Sequence, residues 1–137
     1  MNAGVILAAG DSTRMGFPKQ LAELKDKPLL ELVIEKVNSN FESSTVVLGY
    51  ENETIQEKIN FYNSNILINK NWEEGIVSSI RTALFFYQEQ KQIENIIFFL
   101  GDQPDVKDEV IHALKNPEID KSKIVIPQYR YKLGFPV

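Results

Sequence analysis

Along the chain, short runs of consecutive apolar residues alternate with stretches where apolar residues recur every three or four positions. That alternation predicts an α/β domain with a mostly parallel sheet. The runs Gly4–Ala8, Thr45–Leu48, Asn65–Ile68, Asn95–Leu100 and Lys123–Pro127 carry consecutive β-branched or aromatic residues, which predicts strands buried on both faces. Ile96, Ile97, Phe98, Phe99 and Leu100 are expected to lie most centrally. Leu29, Leu30, Val33, Ile34 and Val37 repeat at helical spacing behind Pro28, whose missing N–H suits a first helical turn. Ile55 and Ile59 mark a shorter helix, and Ile76, Ile80, Ala83, Leu84 and Tyr87 another. Val110, Ile111 and Leu114 mark a fourth, with Asp105 as its expected cap. There is no internal repeat, low-complexity tract or linker, so residues 1–137 read as one domain.

Composition narrows the classes of function. With 43% hydrophobic and 25% charged residues the chain has the balance of a globular protein with a real core. A net charge of −4 disfavours a protein that coats nucleic acid, which needs a clustered cationic excess, but it allows a small anionic ligand held by local cations. The absence of cysteine removes disulfides, thiolate metal sites and a cysteine nucleophile together, as suits a reducing compartment. No apolar stretch approaches the roughly 20 residues that span a bilayer, so a cytoplasmic location and no membrane partner are expected.

In open sheets of this class ligands bind beyond the carboxyl ends of the strands. Two strands run into polar, glycine-containing turns there, Ala9-Gly10-Asp11-Ser12 and Gly101-Asp102-Gln103-Pro104, and both are expected to line one crevice. The stretch LAAGDSTRMGFPK carries Gly10 and Gly16, which let main-chain N–H groups approach an anion, and Arg14 and Lys19, which add a planar fork of donors and a compact charge. It lacks the ending of a P-loop and the G-x-G-x-x-G of a dinucleotide fold. Taken alone, such a loop also describes a solvated turn, and Asp102 an ordinary turn residue or helix cap.

Four segments, LAAGDSTRMGFPKQL, NWEEGIVSSIRTAL, LGDQPDV and IPQYRYKLGFPV, follow one another in the order and approximate spacing of the MobA-like nucleotidyltransferases. The chain resembles that family, and most of all its molybdenum cofactor cytidylyltransferases. The resemblance implies a Rossmann-like three-layer α/β/α fold. It also implies transfer of CMP from CTP to molybdopterin with release of pyrophosphate and with Mg²⁺.

By the same resemblance Leu7, Ala8, Ala9, Gly10, Ser12, Arg14, Met15 and Gly16 form the nucleotide loop. Arg14 holds the phosphates, Lys19 lies near the α-phosphate, and Asp102 coordinates the metal. Ala9 stands where guanylyl-transferring relatives usually have glycine, which favours cytidine. Ser79 is expected to contact the base with Gly75 close by, and Ser78 and Arg81 are weaker candidates; the residues alone would equally give a helix start with a serine cap. Tyr129, Gly134, Phe135 and Pro136 fall on the acceptor side, with Phe135 where the family commonly has histidine. His112 is assigned no role, and Trp72 is read as core before ligand contact.

The chain stops just after Gly134-Phe135-Pro136-Val137, whereas family members continue to a second acidic metal ligand, so the domain is expected to be C-terminally truncated. Neither Glu118 nor Asp120 is spaced to replace that ligand. An edge strand at Lys123–Pro127 left unpaired would expose an adhesive surface, making a homodimer the expected macromolecular partner, with a molybdoenzyme as the other. Two further readings stay open. One is transfer to a sugar phosphate or from GTP, and the other is a nucleotide-binding module without catalysis.

Overall fold

A computed structural model of the chain describes residues 1–11, 16–118, 122–130 and 132–137. Its elements are β1 (Asn2–Ala8), β2 (Glu23–Leu24), β3 (Lys27–Pro28), α1 (Leu29–Asn40), β4 (Ser43–Leu48) and α2 (Asn52–Lys58). They continue with β5 (Asn65–Ile68), α3 (Ile76–Tyr87), β6 (Asn95–Leu100), α4 (Asp108–Lys115), β7 (Gln128–Tyr129) and β8 (Lys132–Leu133). Four strands form one sheet in the order β5-β4-β1-β6, with every adjacent pair parallel. Parallel neighbours require crossover connections, and the helical stretches between the apolar runs supply them.

Alternation along the strands divides the core in two, because successive side chains point to opposite faces. Ile6, Ala8, Val46, Leu48, Ile97 and Phe99 meet α1, α2 and α4 through Leu30, Ile34, Ile55 and Ile111. Ala3, Val5, Leu7, Val47 and Phe98 meet α3 through Ala83 and Tyr87. The result is the expected three-layer arrangement of helices, sheet and helix. The Tyr87 hydroxyl is satisfied at the sheet by Thr45, 2.7 Å away.

Several expectations are corrected. The strand Asn95–Leu100 lies at an edge of the four-stranded sheet, and β1 and β4 take the centre. Its uniform apolarity comes from helices on both faces, which says nothing about lateral neighbours. Beside it, Val137 exchanges both backbone hydrogen bonds with Phe98, at 2.7 and 3.1 Å. Residues 123–127 form no strand; the short hairpin β7–β8 follows instead, and Ile124 is 83% exposed. Pro127 has no N–H to give a ladder, and no strand of the described residues pairs with this segment. The basis for an adhesive strand edge there is thereby removed. The opposite edge, β5, is not buried on both faces: Ile66 and Ile68 are exposed. Asp105 does not cap α4, which begins at Asp108 after Lys107 without a side-chain cap. Pro28 precedes α1 as its cap residue and does not occupy the first turn.

Candidate active site

The carboxyl ends of β1 and β6 open onto a cleft of about 320 Å³. Leu7, Ala8, Ala9, Gly10 and Asp11 line it from the first turn, and Leu100, Gly101 and Asp102 from the second. Gly101 holds the two turns together: its N–H donates to the Leu7 carbonyl at 3.0 Å, and a Cβ there would fall 2.9 Å from that of Ala8. The expectation that both turns reach one crevice is met.

Lys19 begins a single 3-10 turn, Lys19–Leu21, that folds back over the cleft. Its ammonium sits 2.8 Å from a carboxylate oxygen of Asp102, with about half of the lysine side chain and a third of the aspartate exposed. Two residues 83 positions apart in sequence thus meet as an ion pair at the cleft mouth. Such a partly exposed pair adds little to stability, and it leaves a cation and a carboxylate side by side at the mouth of the cleft.

Beside Lys19, Gln20 is buried at 6% exposure, and its amide donates to the carbonyls of Ala8 (2.8 Å) and Gly10 (3.3 Å). Its Oε1 has no hydrogen-bond partner among the described residues. Gln20 therefore braces the turn after β1 and keeps an unused acceptor in the wall of the cleft. Sequence reasoning passed it over. The only signal was a polar residue adjoining Lys19, and that signal does not reveal burial.

The opposite wall is the start of α3. Gly75 has φ 91° and ψ −174°, a region closed to residues with a Cβ, and this lets the chain turn from the short 3-10 segment Trp72–Glu74 directly into the helix. Gly75, Ile76 and Ser79 line the cleft together with Trp72, which also packs edge-on against Tyr50 and into the core on that face. Trp72 thus serves core and cleft at once. Ser78 is buried but turned toward Asn71 and Gly75, and Arg81 is exposed elsewhere on the helix. A residue missed in the sequence, Asn69, lies behind both serines: its amide donates to Ser78 Oγ at 2.7 Å and Ser79 Oγ at 3.0 Å.

Ser12, Arg14 and Met15 lie outside the described residues, as does Asp120. Gly16 is exposed with φ 72° and does not line the cleft. Tyr129, Gly134, Phe135 and Pro136 are not among the lining residues either. Pro136 is buried, Phe135 packs on the α3 face, and the Tyr129 hydroxyl donates to the Phe135 carbonyl at 3.2 Å. Burial, with the Asp105 carboxylate nearby, raises the Tyr129 phenol above its ordinary pKa. His112 is exposed on α4, and Glu118 is exposed.

Among the described residues no three His, Cys, Asp or Glu side chains form a metal cluster. The donor set of the cleft is instead Asp102 with Asp11. That suits Mg²⁺, which is commonly held by one or two carboxylates plus substrate phosphates and seldom by an all-protein cage.

Residues 4–137 match the model of the MobA-like NTP transferase domain. The chain belongs to that family. This MobA-like chain is 29% identical over 126 residues to a probable molybdenum cofactor guanylyltransferase of Natranaerobius thermophilus, a match covering 91% of the chain and 59% of that relative. It is 32% identical over 117 residues to the protein of the same name from Aquifex aeolicus, covering 85% of the chain and 54% of the relative. It thus spans between half and three-fifths of these curated relatives. Both are named for guanylyl transfer, not cytidylyl transfer. Among solved structures, Rv0371c of Mycobacterium tuberculosis superposes with a TM-score of 0.85 at 26% identity, over 98% of this chain and 69% of its own.

Proposed function

We propose that this MobA-like chain binds a nucleoside triphosphate in the cleft and transfers its nucleotidyl group to the phosphate of a molybdopterin-type acceptor, releasing pyrophosphate. The observation that carries the reading is the approach of Lys19 to Asp102 at a cleft also walled by Ala8–Gly10 and Ser79. The names of the curated relatives support the acceptor.

An oxygen of the acceptor phosphate attacks the α-phosphorus, a bond to that phosphorus forms, and the bond to the bridging oxygen breaks as pyrophosphate leaves. A phosphate monoester with a second pKa of about 6 is already largely ionised near neutrality, so the site needs no general base. Positioning and charge neutralisation then suffice. Lys19 exchanges Asp102 for phosphate oxygens and stabilises charge building at the α-phosphate, while Arg14 holds the outer phosphates. Asp102, released from Lys19, would hold a divalent cation, with Asp11 beside it. A cation bound there supplies further neutralisation of the phosphates. Tyr129, Gly134, Phe135 and Pro136 are assigned to the acceptor side.

For the base we assign cytosine, on Ala9 in place of the glycine usual in guanylyl-transferring relatives. GTP is the competing reading, on the names of the curated relatives. The test is metal-dependent pyrophosphate release with molybdopterin and either CTP or GTP. Asp102→Ala and Arg14→Ala should each lower turnover about 10²–10³-fold. Parental rates in both variants would overturn the site assignment, and release with GTP alone would overturn the base.

A further inference from the structure

The turn after β1 is held by its carbonyl groups. That of Leu7 accepts from the N–H of Gly101 at 3.0 Å, and that of Ala9 from the N–H of Tyr50 at 3.1 Å. The carbonyls of Ala8 and Gly10 both receive the side-chain amide of Gln20, at 2.8 and 3.3 Å. A carbonyl only accepts, so the NH₂ of Gln20 must lie on that side, which settles the amide's orientation by chemistry. One buried nitrogen with two hydrogens thus fixes two peptide groups, Ala8–Ala9 and Gly10–Asp11.

Fixing a carbonyl also aims the next N–H. In a trans peptide the C=O of one residue and the N–H of the following one point in opposite directions, and the peptide bonds of this turn are trans. The N–H groups of Ala9 and Asp11 therefore point away from Gln20. Neither donates to a described residue, although Ala9 is only 4% exposed and both residues line the cleft. A main-chain N–H in a buried wall needs an acceptor, and the cleft is the space from which one can come. Gly10 between them would let these peptides turn over, because it has no Cβ and a Cβ there would meet nothing within 4 Å. The clamp has to come from another segment.

We infer that Gln20 is a positioning residue for the triphosphate: by holding back the Ala8 and Gly10 carbonyls, it keeps the Ala9 and Asp11 N–H groups turned to phosphate oxygens. The inference rests on the reading that this turn holds phosphate. An ionised phosphate oxygen only accepts, so a peptide turned over would set a carbonyl oxygen against it. Bonds from backbone N–H groups to an oxyanion are charge-assisted and strong, and they need no reorganisation when the peptides are already oriented. Lys19 supplies charge, and Gln20 supplies direction.

The probe is inorganic tripolyphosphate, which carries no base and so reads the phosphate contacts by themselves. Affinity is read from the fluorescence of Trp72, the chain's single tryptophan, which lines the cleft. Contact is read from the amide proton shifts of Ala9 and Asp11 in ¹⁵N-labelled protein. In the parent both protons should move downfield at saturation. Gln20→Met should bind about fivefold more weakly, and even at saturation its two protons should move less than in the parent. Lys19→Met should also bind more weakly yet keep the parental shifts, because it loses charge and not peptide orientation. Parental shifts in saturated Gln20→Met overturn the inference, whatever its affinity, and leave the phosphate reading standing. Shifts reduced equally in both variants overturn it too, since Gln20 would then act no differently from a lost charge. If the two protons stay still in the parent, the phosphate reading of the turn falls and the inference falls with it. A thermal melt checks that each variant is folded, and Gln20→Leu replaces Gln20→Met where the latter is not.

Discussion

The two ends of the sheet are built from the same strands and are both polar, yet they use their polar groups differently. At the amino end, Asn38 Oδ1 accepts from Ser44 and Ser64, Asn95 donates to Asn2, and Asn2 donates to the Lys115 carbonyl. The Lys115 ammonium reaches the Asn40 carbonyl and lies over the Phe41 ring, 5.1 Å from its centroid. The groups there serve mainly to tie helices to strands. At the carboxyl end Gln20 keeps an acceptor without a partner, Ser79 keeps a proton, and the Lys19–Asp102 pair stands partly in solvent. Hydrogen-bonding capacity left unused inside a concave wall marks a ligand site better than polarity does, because burying such groups costs free energy that a ligand would restore. Asn38 Nδ2, at the amino end, also lacks a partner among the described residues.

The largest effect should come from the carboxyl end. Lys19→Met is expected to lower nucleotidyl transfer about 10²–10³-fold, while changing stability by less than about 1 kcal/mol, as befits an exposed pair. A fall of several degrees in melting temperature with activity intact would make that end as structural as the other and break the contrast. Next, Asn38→Ala should cost about 1–3 kcal/mol of unfolding free energy by denaturant titration, because the two serines lose their shared acceptor. Nucleotide affinity should not move, and a change in it would show that the amino end communicates with the cleft.

Gln20→Met sharpens the comparison at smaller scale. It takes the donor from the Ala8 and Gly10 carbonyls and also removes an orphaned acceptor, so the two changes partly offset and net stability should fall by about 1 kcal/mol. The turn after β1 should then hold nucleotide several-fold less tightly in the fluorescence titration. Unaltered affinity would reduce Gln20 to a packing residue.

The smallest effect lies between the two ends. The Glu35 carboxyl is held below its ordinary pKa, first by the Lys27 ammonium at 2.5 Å and then by the Tyr62 hydroxyl at 2.8 Å. A depressed folded-state pKa stabilises above the unfolded value and loses that contribution as pH falls through the folded one. The difference in melting temperature between the parent and Glu35→Gln should therefore be present near neutrality and close as the pH falls through and below the ordinary carboxylate range. A difference constant across that range would assign it to packing. The same network raises the Lys27 and Tyr62 pKa values, so their contributions persist below the ordinary values and fade only in strong alkali.

Much of the scaffold was legible because its causes are local. The apolar runs of β1, β4 and β6 and the helical repeats of α1 and α3 follow from burial on one face or two, which periodicity reports directly. The turns at Gly10 and Asp102 were legible as candidate ligand turns because glycine and acidic residues directly after an apolar strand are uncommon inside a core. Residues 123–127 misled because a run such as Ile124-Val125-Ile126 has strand composition, while no strand among the described residues pairs with it. Gln20 and Asn69 were invisible for a related reason. Their importance lies in which carbonyls and hydroxyls they meet, and an ordinary glutamine or asparagine reads the same in any loop.

What the sequence determined by itself was the presence of β1, β4, β5 and β6 and of the helices α1 to α4, and the family motifs that name Lys19, Asp102 and Ser79. Each of these depends on neighbours within a turn or two of chain. Only the tertiary structure decided that β1 and β4 lie inside β5 and β6, and that Lys19 and Asp102 touch. It alone decided that Asn69 turns its amide hydrogens toward two serines of another element. Strand order and hydrogen-bond direction are settled between groups distant along the chain, where closure of the whole fold selects one pairing among many that local pattern permits.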